Sequence, residues 1–192
     1  MSSPALQLIV GLGNPGAQYQ RTRHNAGFWL LDRLVTVGNW RTESKFAAET
    51  ARLSLTGGDL WLLKPTTFMN RSGQAVSRFA TFYRIPPEAI LVVHDELDLP
   101  PGTVRIKQRG GHGGHNGLRD IATQLGSREF FRLRLGIGRP PAGEQDVVGY
   151  VLGRAPSEEQ TRLEQAIDDA IAVLPDIVGG RLQHAIQILH SR

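Results

Sequence analysis

The run His94-Asp95-Glu96-Leu97-Asp98-Leu99-Pro100, with the apolar residues 90–93 before it, constrains the fold of this chain more than any other feature. Four consecutive apolar residues, two of them valine, are typical of a buried strand in an α/β sheet. A histidine and two acids follow where that strand ends. Ligands of open α/β sheets bind beside the carboxyl ends of the strands, so a functional site is expected here.

The rest of the pattern predicts one α/β domain over residues 1–192, built on a mixed β-sheet, with residues 1–5 as a flexible tail. Alternating or continuous apolar segments predict strands at 6–10, 47–55, 60–64, 90–93, 103–108, 131–137 and 147–152. Helical spacing predicts helices at 25–35, 72–83, 118–125, 157–174 and 182–189. Ser72 is expected to cap the second helix, and Ser157 with Gln160 to form a capping box. Pro175 is expected to interrupt the fourth helix.

The charge of the chain is concentrated in one segment. The 192 residues carry a net charge of +4, with a sequence pI of about 10.0. Residues 101–139 alone hold eight bases against two acids, a net +6. This asymmetry favours a polyanionic partner such as nucleic acid, with a solvated basic face as the alternative.

Composition also excludes several classes of protein. The chain contains no cysteine, so disulfides, thiolate catalysis and cysteine zinc sites are excluded. No apolar run approaches the ~18 residues of a transmembrane helix, and the first residues lack the pattern of a signal peptide. We therefore expect a soluble, cytoplasmic protein without membrane contact.

Four polar residues each follow a predicted strand: Asn14, Asn70, Asp95 and Asn116. If the strands share a direction, these side chains gather at one edge of the sheet. Three carboxamides, one carboxylate and a nearby histidine form a set of hydrogen-bond donors with one base. Such a set suits hydrolysis of a neutral carbonyl without a metal or a covalent nucleophile. The residues alone do not place His24 beside Asp95.

Two other sites are considered. Residues 11–16 match G-x-G-x-x-G after a strand, but Pro15 removes a backbone donor and no acid ends a second strand at the required distance. A thermal-shift response to NAD or ATP would support this nucleotide hypothesis. His94, His112 and His115 suggest zinc, yet zinc histidines usually stand four residues apart on a helix. A polar substrate loop is the better interpretation of the glycine-rich residues 110–117, because glycine permits close approach to the backbone.

Taken together, six collinear motifs resemble the bacterial-type peptidyl-tRNA hydrolase family. They are Gly11-Leu12-Gly13-Asn14-Pro15-Gly16, Thr22-Arg23-His24-Asn25-Ala26-Gly27, Lys64-Pro65-Thr66-Thr67-Phe68-Met69-Asn70, the His94–Pro100 run, Gly113-Gly114-His115-Asn116-Gly117 and Gly136-Ile137-Gly138-Arg139-Pro140. The resemblance implies a monomer with a twisted mixed sheet in a three-layer sandwich. It implies metal-independent hydrolysis of the ester between a peptide and the 3′-terminal adenosine of tRNA, with no cofactor.

The resemblance also implies roles at the reacting centre. His24 is similar to the general base of the family, and Asp95 would hold it in the correct form. Asn70 would polarise the substrate near the scissile ester. Asn14 and Asn116 would bind the peptide main chain, Asn14 helping to reject a free α-amino group.

Further residues would bind the tRNA part of the substrate, its acceptor stem and 3′ CCA end. Tyr19 and Phe68 resemble the family's tRNA-contacting aromatics, and Met69 and His115 would line the site. The candidates for phosphate contacts are Arg105, Lys107 and Arg134. A noncatalytic RNA-binding protein with the same basic face is the alternative function, and it would require a structural role for His24.

Overall fold

The fold is built on a seven-stranded mixed sheet with the strand order β2-β3-β4-β1-β5-β7-β6. The structure is a computed structural model that describes residues 5–143 and 146–192. The strands are β1 (Leu8–Gly11), β2 (Arg41–Glu43), β3 (Ala48–Leu55), β4 (Gly58–Pro65), β5 (Ile90–Glu96), β6 (Val104–Gln108) and β7 (Phe131–Gly136). The expected tail of residues 1–5 lies outside the described residues except for Ala5.

Four central strands run in the same direction. β1 pairs in parallel with β4 and β5, and β5 pairs in parallel with β7. The outer strands β3 and β6 are antiparallel to their neighbours. The carboxyl ends of β1, β4, β5 and β7 therefore meet at one edge of the sheet, which is where such sheets bind ligands.

Helices cover both faces of the sheet, which confirms the predicted three-layer α/β arrangement. They are α1 (Ala26–Leu34), α2 (Ser72–Tyr83), α3 (Asn116–Leu125), α4 (Val147–Val151), α5 (Ser157–Val178) and α6 (Leu182–His190). Helices α1, α5 and α6 share one hydrophobic core with the sheet, and α2 and α3 share the other. No helix in the described part of the chain combines the length and apolar character needed to cross a membrane.

The predicted strand at 147–152 is wrong, because this segment forms the short helix α4. The Asp146 carboxylate accepts a hydrogen bond from the Gly149 N–H at 2.8 Å. This capping contact satisfies a free donor of the first turn. The two valines had favoured a strand, but the acid before them begins a helix.

Three expectations about helix ends are also wrong. Ser72 does not cap α2; its hydroxyl donates to the Met69 carbonyl, and the Asp120 carboxylate accepts from the Gly73 N–H instead. Ser157 is the first helical residue of α5, so no capping box forms. The same helix continues through Pro175 to Val178, because buried residues of its last turns pack in the core.

The edge strand β6 is covered by α6. The Ile106 N–H donates to Nε2 of His190 at 3.2 Å, and the Arg105 guanidinium donates to the Leu189 carbonyl at 3.4 Å. On its outer side, the edge strand β6 therefore forms hydrogen bonds with residues of helix α6 rather than with another strand.

Candidate active site

The structure brings together the polar residues that follow the parallel strands. Asn14 lies just beyond β1 and Asn70 beyond β4. Strand β5 continues past the predicted residues 90–93 to Glu96, so Asp95 is its next-to-last residue. Asn116 arrives by a different route from the one predicted. It follows β6, which runs antiparallel and ends at the opposite edge, and the glycine-rich loop, residues 109–115, returns the chain to the site.

His24 contacts Asp95 directly, which the sequence left open. The Nδ1 atom of His24 lies 3.0 and 2.9 Å from the two carboxylate oxygens of Asp95. A carboxylate only accepts hydrogen bonds, so Nδ1 carries the proton and donates it. Nε2 of His24 is then the unprotonated atom, and it is available to take a proton from a reactant.

A second histidine donates to the same carboxylate. Nε2 of His115 lies 2.9 Å from Oδ1 of Asp95, while its Nδ1 accepts from the Leu118 N–H at 3.3 Å. These contacts fix the ring with its proton on Nε2. Asp95 therefore receives one N–H donor from His24 and another from His115.

The two contacts decide the charge of Asp95, which is buried at 3% exposure. Burial alone would raise the pKa of this carboxyl, but the charges and hydrogen bonds of His24 and His115 lower it well below its ordinary value. Asp95 is therefore ionised at neutral pH.

His94 lies beneath this arrangement and stays neutral. Its Nδ1 donates to the main-chain carbonyl of Asp95 at 2.7 Å, and its ring packs edge-on against His115 with centroids 5.1 Å apart. Burial, and next the neighbouring His115, lower the pKa of His94 from 6.5 to about 3. The ring therefore cannot compete as a cation for Asp95 at neutral pH.

Asn14 has one end of its amide fixed. It is 7% exposed, and its Oδ1 accepts from the Met69 N–H at 2.7 Å. Asn25 holds its main chain from both sides, accepting from the Asn14 N–H at 2.8 Å and donating to the Asn14 carbonyl at 3.0 Å. Because its oxygen is occupied, Asn14 presents its NH₂ group as a donor.

The remaining candidates that the sequence placed near substrate stand at the rim. Asn70 and Asn116 are exposed, at the 3₁₀ turn Met69–Arg71 and at the first residue of α3. The rings of Tyr19 and Phe68 meet edge-on at 6.2 Å, and Phe68 is 57% exposed. Met69 is buried, so it supports the site from below.

The three candidates for phosphate contacts share one face of the sheet. Val104 and Ile106 of β6 point into the core, so the alternating residues Arg105 and Lys107 point to the other face. Lys107 is exposed. Arg134, which pairs with Arg105 across the strands, donates to Glu96 at 2.8 Å.

The alternative zinc set of His94, His112 and His115 is not assembled. His112 Nδ1 accepts from Gly114 N–H, and His94 is occupied by the Asp95 carbonyl. In the described residues, the group with suitable ligand atoms is instead His24, Asp95 and His115, whose atoms lie within 4.8 Å of one another. A metal there would have to displace the proton that the Leu118 contact places on Nε2 of His115, so the group suits proton sharing better.

The nucleotide hypothesis for residues 11–16 also fails on geometry. The third glycine, Gly16, leads into the 3₁₀ turn Ala17–Tyr19, and α1 begins only at Ala26. No helix N-terminus therefore follows the glycines, as a pyrophosphate site requires. The segment instead presents Asn14.

Sequence reasoning missed two buried arginines that support the site. Arg23 donates to the Tyr150 carbonyl at 2.9 Å and stacks 3.8 Å above the Tyr150 ring. Arg132 alternates with the apolar residues on either side of it, a pattern that predicts an outward-facing side chain, but it is only 3% exposed. The supporting role of Arg23 could have been predicted, because this residue lies within one of the six motifs. Nothing in the local sequence pattern distinguished Arg132 from Arg134.

Comparison with known proteins gives concordant results. A model of the family described as Peptidyl-tRNA hydrolase matches residues 8–192. A peptidyl-tRNA hydrolase of Azotobacter vinelandii is 56% identical over 192 residues, covering 98% of this chain and 98% of its own length. One from Neisseria meningitidis is 52% identical over 193 residues, 99% and 100% of the two chains. The crystal structure of peptidyl-tRNA hydrolase from Acinetobacter baumannii matches with a TM-score of 0.91 at 49% identity, over 98% of this chain and 95% of that one.

Proposed function

The chain belongs to the peptidyl-tRNA hydrolase family, and from that premise we propose how its residues hydrolyse the ester bond of peptidyl-tRNA. The enzyme is a hydrolase acting on that bond. The observation that carries the proposal is the contact between Asp95 and Nδ1 of His24, which leaves Nε2 of His24 unprotonated.

His24 is the general base in this proposal. Its Nε2 takes a proton from a water molecule while the water oxygen attacks the ester carbonyl carbon. Asp95 stabilises the imidazolium that forms, as a buried acid does in other hydrolytic sites. The proton then passes to the 3′-oxygen of the terminal adenosine as the ester C–O bond breaks. The products are a peptide with a free carboxylate and a tRNA with a free 3′-hydroxyl.

Amide donors stabilise the charge that develops on the carbonyl oxygen. Asn70 stands exposed at the rim, where its NH₂ group can reach the ester and polarise it. A donor aimed at such an oxygen is typically worth ~10²–10³ in rate.

Polar side chains of the site recognise the acylated amino group of the substrate. We assign the peptide main chain to Asn14 and Asn116, with Asn14 presenting the NH₂ group that its contact with Met69 leaves free. A buried amide that must pair with a peptide carbonyl is left unpaired by an aminoacyl-tRNA. Substrates with a free α-amino group are therefore rejected.

The tRNA end is bound by stacking and charge. We assign the 3′ CCA end to the rings of Tyr19 and Phe68 and the acceptor-stem phosphates to Arg105, Lys107 and Arg134. The enzyme acts as a monomer in the cytoplasm, where ribosomes release peptidyl-tRNA.

The test is release of free tRNA from N-acetyl-aminoacyl-tRNA beside the same tRNA with an unblocked amino acid, both with EDTA. Release from the blocked ester alone supports the proposal. The variant His24→Ala should bind tRNA normally and lose turnover by ~10²–10⁴. Binding without release by the wild-type protein would leave the RNA-binding alternative and remove His24 from its catalytic role.

A further inference from the structure

The glycine-rich loop has few side chains that could restrict its backbone conformation. Gly110, Gly113 and Gly114 have positive φ angles, and a Cβ placed at Gly111, Gly113 or Gly114 would have no neighbour within 4 Å. A segment of this composition loses much conformational entropy when it is ordered. Yet it ends at His115, whose ring must meet Asp95 within hydrogen-bond distance.

Arg132 supplies the missing restraint from the sheet. This residue lies in β7, and one nitrogen of its guanidinium donates to the Gly110 carbonyl at 2.6 Å while another donates to the Gly111 carbonyl. The planar fork of arginine suits two adjacent acceptors, and the geometry of a lysine ammonium does not. Two consecutive carbonyls of the loop are thereby fixed to a rigid strand.

This use of an arginine is costly, which argues for a specific role. Both hydrogen-bond partners are neutral carbonyls, and the guanidinium is buried. Burial, and next the neighbouring Arg128, lower the pKa of Arg132. A buried charge without a carboxylate partner destabilises a fold, so packing of β7 alone does not account for this residue.

The restraint reaches His115 through a short, internally bonded turn. The His115 N–H donates to the His112 carbonyl at 2.9 Å, and the Gly114 N–H donates to Nδ1 of His112 at 3.0 Å. The chain between the clamped Gly111 and His115 therefore forms one compact unit. At its end, His115 caps α3 through the Leu118 N–H and donates to Asp95.

We propose that Arg132 is a positioning residue of the hydrolase: by holding the Gly110 and Gly111 carbonyls, it sets the place of the His115 ring and so the orientation of the Asp95 carboxylate toward His24. The proposal rests on the proposed function, because it assigns Arg132 an effect on the same His24–Asp95 contact. Arg132 is buried, and its guanidinium donates to the main chain of the loop rather than to His24 or Asp95. Losing the clamp should slow the chemical step and leave tRNA binding unchanged.

The test compares Arg132→Lys and Arg132→Met with the matched control Arg109→Gln. Arg109 stands at the entrance of the same loop, but its side chain is 70% exposed and ion-paired with Glu129. For each protein, kcat and KM are measured on N-acetyl-aminoacyl-tRNA. In the free protein, the Nε2–H signal of His115 is followed by ¹⁵N-edited NMR, and amide exchange is followed over residues 110–116.

The expected result for Arg132→Lys is a fall of kcat by about tenfold or more, with KM within about twofold, faster amide exchange in the loop and a shifted or lost His115 signal. Arg132→Met should lose as much or more, and Arg109→Gln should match the wild type in every readout. If Arg132→Met does not fold, Arg132→Lys decides.

Two results would overturn the proposal. Unchanged kcat and an unchanged His115 signal in Arg132→Lys would show that the clamp is not needed. A raised KM with unchanged kcat would make Arg132 a tRNA contact instead. The NMR and exchange readouts need no substrate, so they separate failure of this proposal from failure of the wild-type enzyme to hydrolyse the ester.

Discussion

At the scale of single residues, the central feature is one carboxylate that accepts from two imidazoles. Asp95→Asn keeps the shape of this residue but replaces an acceptor by an amide donor that faces two N–H groups. One histidine must then change tautomer or turn away. We expect kcat to fall by ~10²–10⁴ while tRNA affinity is retained.

The matched control for this prediction is Asp98→Asn in the same run. Asp98 is exposed and bonds to Arg139 at the surface, so its loss should leave kcat within about twofold, as for most surface changes. Steady-state kinetics and a tRNA binding isotherm on both variants decide the matter. Equal losses in the two would mean that the net charge of the run, and not the Asp95 contact, controls the rate.

His94 gives the folded state a dependence on acid pH. Its pKa is 6.5 in the unfolded chain and about 3 in the folded protein. Below pH 6.5 the unfolded chain binds a proton that the folded protein does not, so stability falls as the pH drops from 6.5 towards 3. The expected slope from this group is about 1.4 kcal/mol per pH unit.

Urea unfolding of the wild type and of His94→Asn between pH 7 and pH 4 measures this contribution. The asparagine can still donate near the position of Nδ1 but does not titrate. We expect a lower stability at pH 7 and a flatter pH dependence, since Asp95, with its lowered pKa, stays ionised over this range. Parallel curves would assign the acid sensitivity to other groups, such as His112 and His190, whose pKa values burial also lowers.

At the scale of elements, α1 packs against the sheet at Gly27 too closely for any larger residue there. A Cβ at Gly27 would lie 2.4 Å from the Val93 carbonyl oxygen and 2.5 Å from the Leu12 nitrogen. Gly27→Ala should therefore push α1 away from β1 and β5 at a cost of roughly 1–3 kcal/mol. Because His24 lies three residues earlier, kcat should fall as well.

Gly38→Ala is the control for this helix, because a Cβ there would meet nothing within 4 Å. Thermal unfolding should leave this variant at or above the melting temperature of the wild type, with full activity. An unchanged melting temperature in Gly27→Ala would show that the helix can shift at no cost.

Local sequence patterns predicted most helices and strands, but not the contacts that fix their ends. The end of α2 at Tyr83 was predicted correctly, because apolar spacing and Pro86 act within a few residues. The partner that caps its first turn is Asp120, which lies 47 positions away along the chain. A contact at that separation leaves no trace in the local pattern, and the same holds for Arg132 and its loop.

Strand direction controls which edge of the sheet a residue reaches. Asn14 and Asn70 lie beyond the ends of parallel strands and Asp95 lies near the end of a third, so all three stand at the same edge. For Asn116 the strand-direction argument was wrong, because β6 runs the other way, and only the motif resemblance supports its place in the site. The double hydrogen bond to Asp95 could not be predicted, because ring orientation depends on packing that the sequence does not encode locally.

At the scale of the whole molecule, the basic face should make tRNA affinity depend on salt. Each phosphate contact releases counterions, so the logarithm of affinity falls with the logarithm of salt concentration. Lys107→Ala should reduce the magnitude of that slope by about 1. The control is Lys45→Ala, an exposed lysine beside β2 and β3 at the opposite edge of the sheet.

Filter binding of tRNA, measured between low and moderate salt, tests whether the basic face contacts the phosphates. The Lys45 variant should keep the wild-type slope. A slope that is flat for the wild type, or equal for both lysine variants and lower than wild type, would remove the assignment of the basic face to phosphate contacts.

The covering of β6 by α6 has a consequence for how the protein behaves in a crowded solution. An uncovered edge strand offers its free amides to strands of other molecules and so promotes amyloid-like aggregation. Here the Ile106 amide is already engaged by His190. Protonation of that imidazole would remove the acceptor. Burial lowers the pKa of His190, so the ring remains an acceptor, and the edge stays covered, at lower pH than an ordinary histidine would allow. By occupying this edge, α6 therefore protects the enzyme from polymerising through its own sheet.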